Sequence, residues 1–274
     1  MTAYYNDNDP RAAAWLRELQ RENLIAPGDV DERDIRDVSP SELAGYLQCH
    51  FFAGIGGWSY ALRLAGWPDD RPVWTGSCPC QSFSAAGGGR GIADERHLWP
   101  AWFYFVTECR PVVLFGEQVS SVDGLQWFDI VQGDLESETY RVCGADLCAS
   151  SIGAPHIRQR IFFVADICGL GNAGRTGFPS CEQKDICVPG RRNERRTTEQ
   201  SSRASRATRN TAFDGGWNDA EWLRCRDDTW RPVEPGSFPL ADGIPGRVGL
   251  LRGYGNAIVP ALAASFVSSY MSVA

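Results

Sequence analysis

At 274 residues, 43% of them hydrophobic, the chain is long enough to bury a full core in one large domain, or in a large domain with a smaller companion. No apolar run approaches the roughly 20 residues of a membrane-spanning helix. The opening MTAYYNDNDPRAAAW has no basic flank leading into an apolar stretch, so a cytoplasmic protein with no membrane partner is expected. A net charge of −7 excludes a protein that coats nucleic acid indiscriminately.

Asp9 and Pro10, followed by RAAAWLRELQREN, predict an N-capped helix with proline at its first position and Trp15, Leu16 and Leu19 on its apolar face. A short polar strand is expected around VDERDIRDV. YLQCHFFAG reads as a buried strand that runs into the turn GIGG and the helix WSYALRLAG. RPVWTGS, PVVLFGEQ and RIFFVAD are further short apolar runs. Strands alternating with helices predict an α/β fold built on a parallel sheet. Ligands of such sheets sit at the carboxyl ends of the strands, where AGIGG, PCQ and GEQV all fall. From about Cys168 to Phe238 the pattern gives way to a polar stretch rich in Gly, Ser and Arg. GNAIVPALAASFVSSYM then restores it as a turn and an apolar helix. The expected organisation is a main domain over 1–167, a smaller domain or elaborated insertion over 168–240, and a return to the main domain over 241–274.

Ten cysteines would suit a disulfide scaffold only in a short secreted chain. No CxxC pair occurs and there are three histidines (His50, His97, His156), so no metal site is expected. Most of the cysteines suit buried apolar positions. Cys80, between Pro79 and Gln81 at the end of a predicted strand, is either one of these or a reactive thiolate in an electropositive setting. Phe52-x-Gly54-x-Gly56 is a weak signal alone. Its glycines let a cofactor approach the backbone at a helix N-terminus, but any tight turn would look similar. Residues 191–210 hold seven Arg against two Glu, and Lys184 is the sole lysine. Guanidinium forks suit phosphate and guanine, although a solvated loop would have the same composition.

PCQSFS with its glycine-rich loop, then GEQV, HIRQR and GNAIVP, in this order, resemble the DNA (cytosine-5)-methyltransferase family over most of the chain outside the Arg-rich stretch. The resemblance implies a doubly wound, Rossmann-like sheet that binds S-adenosylmethionine, a smaller target-recognition domain, and double-stranded DNA as the partner of a monomer. By motif match, Cys80 would attack carbon-6 of a cytosine flipped out of the duplex and Glu117 would hold ring nitrogen-3. Arg158 and Arg160 would hold the base and favour the thiolate, and residues 82–99 would close over the base. Flipping is forced because a ring carbon cannot be attacked inside a stacked pair, and covalent attack activates an otherwise poor carbon nucleophile. Phe52, Gly54, Gly56 and Asn256 would line the cofactor. Gln81, Ser84, Arg191, Arg192, Arg195 and Arg196 would contact DNA. A compact modifier of this kind suits restriction-modification or a phage. Two positions depart from the family pattern: Gln118 replaces asparagine and His156 replaces glutamine.

The family's acidic cofactor strand and the strand after it are missing between GIGG and Pro79. YYNDNDPRAAAWL resembles the first of them and VDERDIRDV the second. The resemblance thus implies a circular permutation that sets these two strands ahead of the glycine motif. Asp7 would bind the ribose hydroxyls, and Asp34 with Ile35 would flank the adenine. The other reading is an N-terminal cap without catalytic role. Pairing of the strand before Asp7 beside the strand ending near Gly54 would separate the two. Two functional alternatives remain open: a catalytically impaired relative that binds DNA and flips bases, and a thiol redox or glutaminase-type cysteine enzyme. The latter lacks both a CxxC and a His/Glu pair placed by motif.

Overall fold

In a computed structural model the described residues are 2–79, 98–154, 158–167, 221–224, 230–233 and 257–274. The first unit is β1 (Ala3–Asn6), α1 (Pro10–Arg21) and β2 (Gly28–Asp31). Asp9 caps α1 by accepting from the Arg11 N–H at 2.9 Å, and Pro10 occupies its first turn, where a missing N–H costs nothing. Ala13 and Leu16 are buried beneath it, but Trp15, expected on the apolar face, is 45% exposed. Two short 3-10 turns, Ile35–Asp37 and Pro40–Leu43, lead to β3 (Gln48–Phe51), α2 (Gly57–Leu64) and β4 (Val73–Gly76). After the next described residues come α3 (Trp99–Cys109), β5 (Val113–Val119), α4 (Val122–Ser137), β6 (Tyr140–Cys148) and β7 (Gln159–Ile167). The chain closes with α5 (Pro260–Met271). Within 168–240, the described residues form a separate antiparallel pair, β8 (Glu221–Arg224) with β9 (Trp230–Val233).

Seven strands form one sheet in the order β2-β1-β3-β4-β5-β7-β6. Strands β2 to β5 are parallel, whereas β7 runs antiparallel to both β5 and β6. The all-parallel expectation is therefore corrected at this edge. Among the described residues the short 3-10 turn Ala149–Ile152 stands between β6 and β7, and a link this short suits reversal of direction rather than a crossover. Side chains alternate across the sheet. Tyr4, Cys49, Phe51, Trp74, Leu114 and Phe163 face α3 and α4, while Phe115, Phe162 and Val164 face α2 and α5. The result is a three-layer sandwich with the sheet buried on both sides.

β1 pairs in parallel with β3, with Asn6 opposite Phe51, and β2 lies outside it. In the ordinary doubly wound order 3-2-1-4-5 the chain enters at the centre of the sheet. Here it enters one strand out, steps outward to β2, and returns over β1 to the central β3. That order does not fit the expected circular permutation in its strict sense. Rotating the chain would carry the central strand to the far terminus, whereas β3 sits between β2 and β4 in sequence. The central strand β3 thus follows, in sequence, two strands that lie outside it in the sheet.

Candidate active site

The carboxyl ends of β1, β3, β4 and β5 lie along one edge of the sheet. At the β1–β3 seam the chain leaves β3 through Phe52, Ala53, Gly54 and Ile55 to the N-terminus of α2. Phe52 has φ 51°, left-handed and unusual for a residue with a side chain. Gly54 (φ 53°) and Gly56 (φ 77°) share that region at little cost. A Cβ on Gly56 would lie 2.9 Å from Leu19 Cδ1, so α1 packs directly on this turn. A Cβ on Gly54 would meet nothing nearer than 3.9 Å, which leaves its backbone open. Gly56 caps α2 without a side-chain acceptor, so the amide groups of the first turn are not consumed by a capping side chain.

Asp7 faces this turn from the end of β1. Its Oδ2 accepts from the Gly54 N–H at 2.7 Å and its Oδ1 from the Asp9 N–H at 3.0 Å. Burial raises its carboxyl above the usual range, and these two amides partly offset the rise. Asn6 Nδ2 donates to the Arg33 carbonyl at 2.9 Å and holds the loop after β2 against the same edge. Asp34 begins the first 3-10 turn, with its carboxylate bridged to Arg36 at 2.8 Å and lowered to about 2 by that guanidinium. Ile35 is not an open wall of a cleft; it is 2% exposed and packs into the core under α3. An acidic acceptor opposite a glycine turn at a helix N-terminus suits a cofactor that carries hydroxyls and an amino-acid group. The donor set fits S-adenosylmethionine.

Glu117 lies on β5, in the part of the sheet where β7 covers it. Its Oε1 stands 2.8 Å from Arg160 Nε, and the pair is nearly enclosed, with the side chains 6% and 18% exposed. Burial raises the Glu117 carboxyl. Arg160, Arg158 and the Ser77 hydroxyl pull it back. Arg158 Nη2 donates to the Ala257 carbonyl at 2.6 Å, which ties the start of β7 to the segment before α5. Its guanidinium is lowered by burial and by Arg160, and raised by Glu117. Gln118 is buried, with Oε1 accepting from the Val119 N–H at 2.9 Å and Nε2 3.5 Å from the Cys78 carbonyl. It thus turns toward the strand end that leads to Pro79.

Of the residues singled out in the sequence, the structure brings Glu117, Arg158 and Arg160 together, and separately Asp7 and Gly54. Cys80, Gln81, Ser84, His156, Arg191, Arg192, Arg195, Arg196 and Asn256 lie outside the described residues. Most of the loop at 82–99 does too, but its far end is corrected. Trp99 is the first residue of α3 and 1% exposed, with its indole N–H on Asp134 Oδ2 at 2.8 Å. Sequence reasoning missed Ser77 and Trp58. The Trp58 indole N–H donates to Ser77 Oγ at 3.0 Å, which ties the start of α2 to the residue after β4. Across the sheet, at the amino ends of β3, β4 and β5, a cavity of about 470 Å³ opens between Leu47, Pro72 and Pro111, away from all of these groups.

Residues 67–183 match the C-5 cytosine-specific DNA methylase family. The chain is 31% identical over 118 residues to the Type II methyltransferase M.AluI of Cellulosimicrobium cellulans, covering 39% of this chain and 22% of that protein. It is 31% identical over 104 residues to the Type II methyltransferase M.AplI of Arthrospira platensis, covering 37% and 29%. The chain thus matches less than a third of the length of these relatives. Among solved structures, DNMT2 of Spodoptera frugiperda aligns with TM-score 0.42 and 16% identity, over 62% of this chain and 44% of that one. A DNA modification methyltransferase encoded within an E. coli prophage aligns with TM-score 0.37 and 17% identity, over 61% and 47%. The matched residues 67–183 hold the PCQ stretch, Glu117, Arg158 and Arg160.

Proposed function

We propose that this protein transfers a methyl group from S-adenosylmethionine to carbon-5 of cytosine in double-stranded DNA, by way of a Cys80 adduct on a flipped base. The observation that carries the reading is the enclosed Glu117–Arg160 pair, with Arg158 beside it, at the sheet edge where β4 runs on to Pro79 and Cys80. Such a site can hold a proton and a negative charge in a water-poor setting, as an acid acting on a ring nitrogen must. Attack by the Cys80 thiolate forms a bond to carbon-6 and moves the electrons of the 5,6 double bond toward nitrogen-3. Glu117 supplies the proton that nitrogen-3 takes up. Arg158 and Arg160 favour the thiolate and hold the base. When bound, S-adenosylmethionine supplies the electrophilic methyl carbon. Loss of the carbon-5 proton then drives out the cysteine, and nitrogen-3 returns its proton to Glu117.

Asp7 would take the ribose hydroxyls, with Phe52, Gly54, Gly56 and Asn256 around the rest of the cofactor and Asp34 and Ile35 toward the adenine. The β1–β3 pairing supports a transposed cofactor strand. Residues 168–240, with Arg191, Arg192, Arg195 and Arg196, would recognise the target alongside Gln81 and Ser84, and residues 241–274 would return to the main domain. The chain would act as a cytoplasmic monomer. Among the described residues no helix is long and apolar enough to cross a membrane.

The test is incubation of the purified protein with DNA and S-adenosylmethionine labelled in its methyl group. Label should appear as 5-methylcytosine. Cys80→Ala should abolish transfer while keeping DNA binding, and DNA containing 5-fluorocytosine should trap a covalent complex. Near-normal turnover by Cys80→Ala would overturn the mechanism. DNA binding with no transfer by the unaltered protein would favour the base-flipping relative instead.

A further inference from the structure

We infer that Trp102 is a positioning residue for Phe52, the aromatic wall of the cofactor site proposed above; the functional half of the inference rests on that reading. Successive side chains of a strand point to opposite faces of the sheet. Phe51, the last residue of β3, faces the α3–α4 layer, so an extended Phe52 would point the other way. Its left-handed φ of 51° turns it back, and both rings meet the same indole. Trp102 lies 6.1 Å from Phe51 and 6.3 Å from Phe52 between ring centroids. The other residues that combine a side chain with positive φ are Asn23, Arg110 and Thr139, just past the ends of α1, α3 and α4. There the left-handed conformation is an ordinary way for a helix to end. Among the described residues Phe52 alone carries that strain between a strand and a helix, and the strain sets its ring against Trp102.

Backbone and ring are held by different groups. Phe51 pairs with Gly76 on β4, and the Ala53 N–H donates to the Asn6 carbonyl at 3.0 Å, so the chain is pinned on both sides of Phe52. Neither contact fixes the ring. Phe52 is half-buried, and among the described residues its one aromatic contact is the Trp102 indole, set at 89° to it. Phe51, by contrast, also packs on Trp74 at 5.1 Å and stacks on Phe105 at 5.8 Å. Trp102 is itself firmly seated. It is fully enclosed in the first turn of α3 and edge-on to Trp99 at 5.5 Å. A Cβ on Gly76 would lie 2.7 Å from its Cη2 and Cζ2, so the bare end of β4 is the hollow that receives the indole. The indole N–H has no hydrogen-bond partner among the described residues, so packing alone seats the ring. Aromatic pairs prefer the edge-to-face arrangement seen here. A wall whose plane is set in advance spares the ligand the cost of ordering it.

The experiment uses the full chain with carbon-13 in its phenylalanine rings, the two signals being assigned by Phe51→Leu and Phe52→Leu. NMR relaxation of each ring, with no ligand present, reports how firmly it is held. In Trp102→Leu, Phe52 should lose order while Phe51 keeps it, because Trp74 and Phe105 remain. Affinity for S-adenosylmethionine, measured by calorimetry, should fall about fivefold, the scale of one aromatic pair. In a Phe52→Leu background the same substitution should change affinity by less than about twofold, since the partner it acts through is gone. An indole that only filled the core would disturb Phe51, the more deeply buried ring, at least as much, and would act equally in both backgrounds. Unchanged order at Phe52, equal loss at both rings, or equal effects in both backgrounds overturns the inference. Absence of binding by the unaltered protein would overturn the cofactor reading, and the ring measurement would still decide whether Trp102 positions Phe52. Should Trp102→Leu not fold, Trp102→Met, which fills more of the hollow without a ring, is read in the same way.

Discussion

Arg160 and Glu117 show how little latitude an enclosed ion pair leaves. Removing the guanidinium strands a carboxylate that is 6% exposed, a change that costs about 3 kcal/mol in buried pairs. The cost depends on pH with a definite sign. Burial already raises the Glu117 carboxyl in the folded state, so its penalty is absent below the unfolded value and grows as pH rises through the folded one. Arg160→Ala should thus fall furthest behind the unaltered protein in urea unfolding at pH 8, with the gap narrowing at pH 5. Glu117→Gln in the same background should close most of it. Asp7 offers a different test. Its Oδ2 holds the Gly54 amide at 2.7 Å, so Asp7→Ala loses both that bond and the proposed ribose acceptor. S-adenosylmethionine affinity measured by calorimetry should drop by about 1–3 kcal/mol. Unchanged affinity would remove Asp7 from the cofactor site.

Between elements, glycines mark where layers touch. Gly116 lies opposite Phe163 across β5 and β7, and a Cβ there would come within 2.1 Å of the Phe163 ring. Gly116→Ala should therefore destabilise by about 1–3 kcal/mol through overpacking. Gly133, within α4, has open space around its Cβ direction, so Gly133→Ala should gain up to about 1 kcal/mol from helix propensity. Thermal unfolding of the two variants side by side checks both. The elements that sequence reasoning recovered are those with sharp local signals. Asp9-Pro10 starts α1, the glycine turn separates β3 from α2, and the short β-rich runs become β4, β5 and β7. What it missed depended on pairing. β6 has no clean alternation of buried and exposed residues, because its partner covers it on one edge and α4 only in part. The antiparallel sense of β7 is likewise invisible in RIFFVAD, which reads the same in either direction. Glu117 and the two arginines are singled out by motif, but their proximity needed the register of β5 against β7.

Across the whole molecule, one buried titratable group ties stability to acid. His50 is completely enclosed on β3, stacked on Tyr5 at 4.8 Å, with Nδ1 2.8 Å from Thr75 Oγ1. Burial depresses its pKa from 6.5 to about 3. The folded state therefore holds it neutral while the unfolded chain takes up a proton below 6.5. Stability referable to His50 is complete above that value and declines as pH falls toward 3, at about 1.4 kcal/mol per pH unit for one proton. Replacing His50 by Gln should flatten the slope of unfolding free energy across this window by that amount. A slope equal to that of the unaltered protein would show that other groups set its acid sensitivity.

The early position of β1 and β2 in the chain has a consequence for assembly. These strands and α1 form a unit joined to β3 through residues 32–47, while its inner edge is closed by the ladder between β1 and β3. Tyr5 against His50 and Asp7 against Gly54 join the two sides along that seam. A chain cut between β2 and β3 would thus present two pieces with complementary edges and half of the proposed cofactor site on each. A small molecule held by both halves would act as a molecular clasp, drawing the fragments together in proportion to its own concentration. The strand order would in this way turn the proposed cofactor pocket into a joint, and ligand affinity into a measure of how firmly the joint holds.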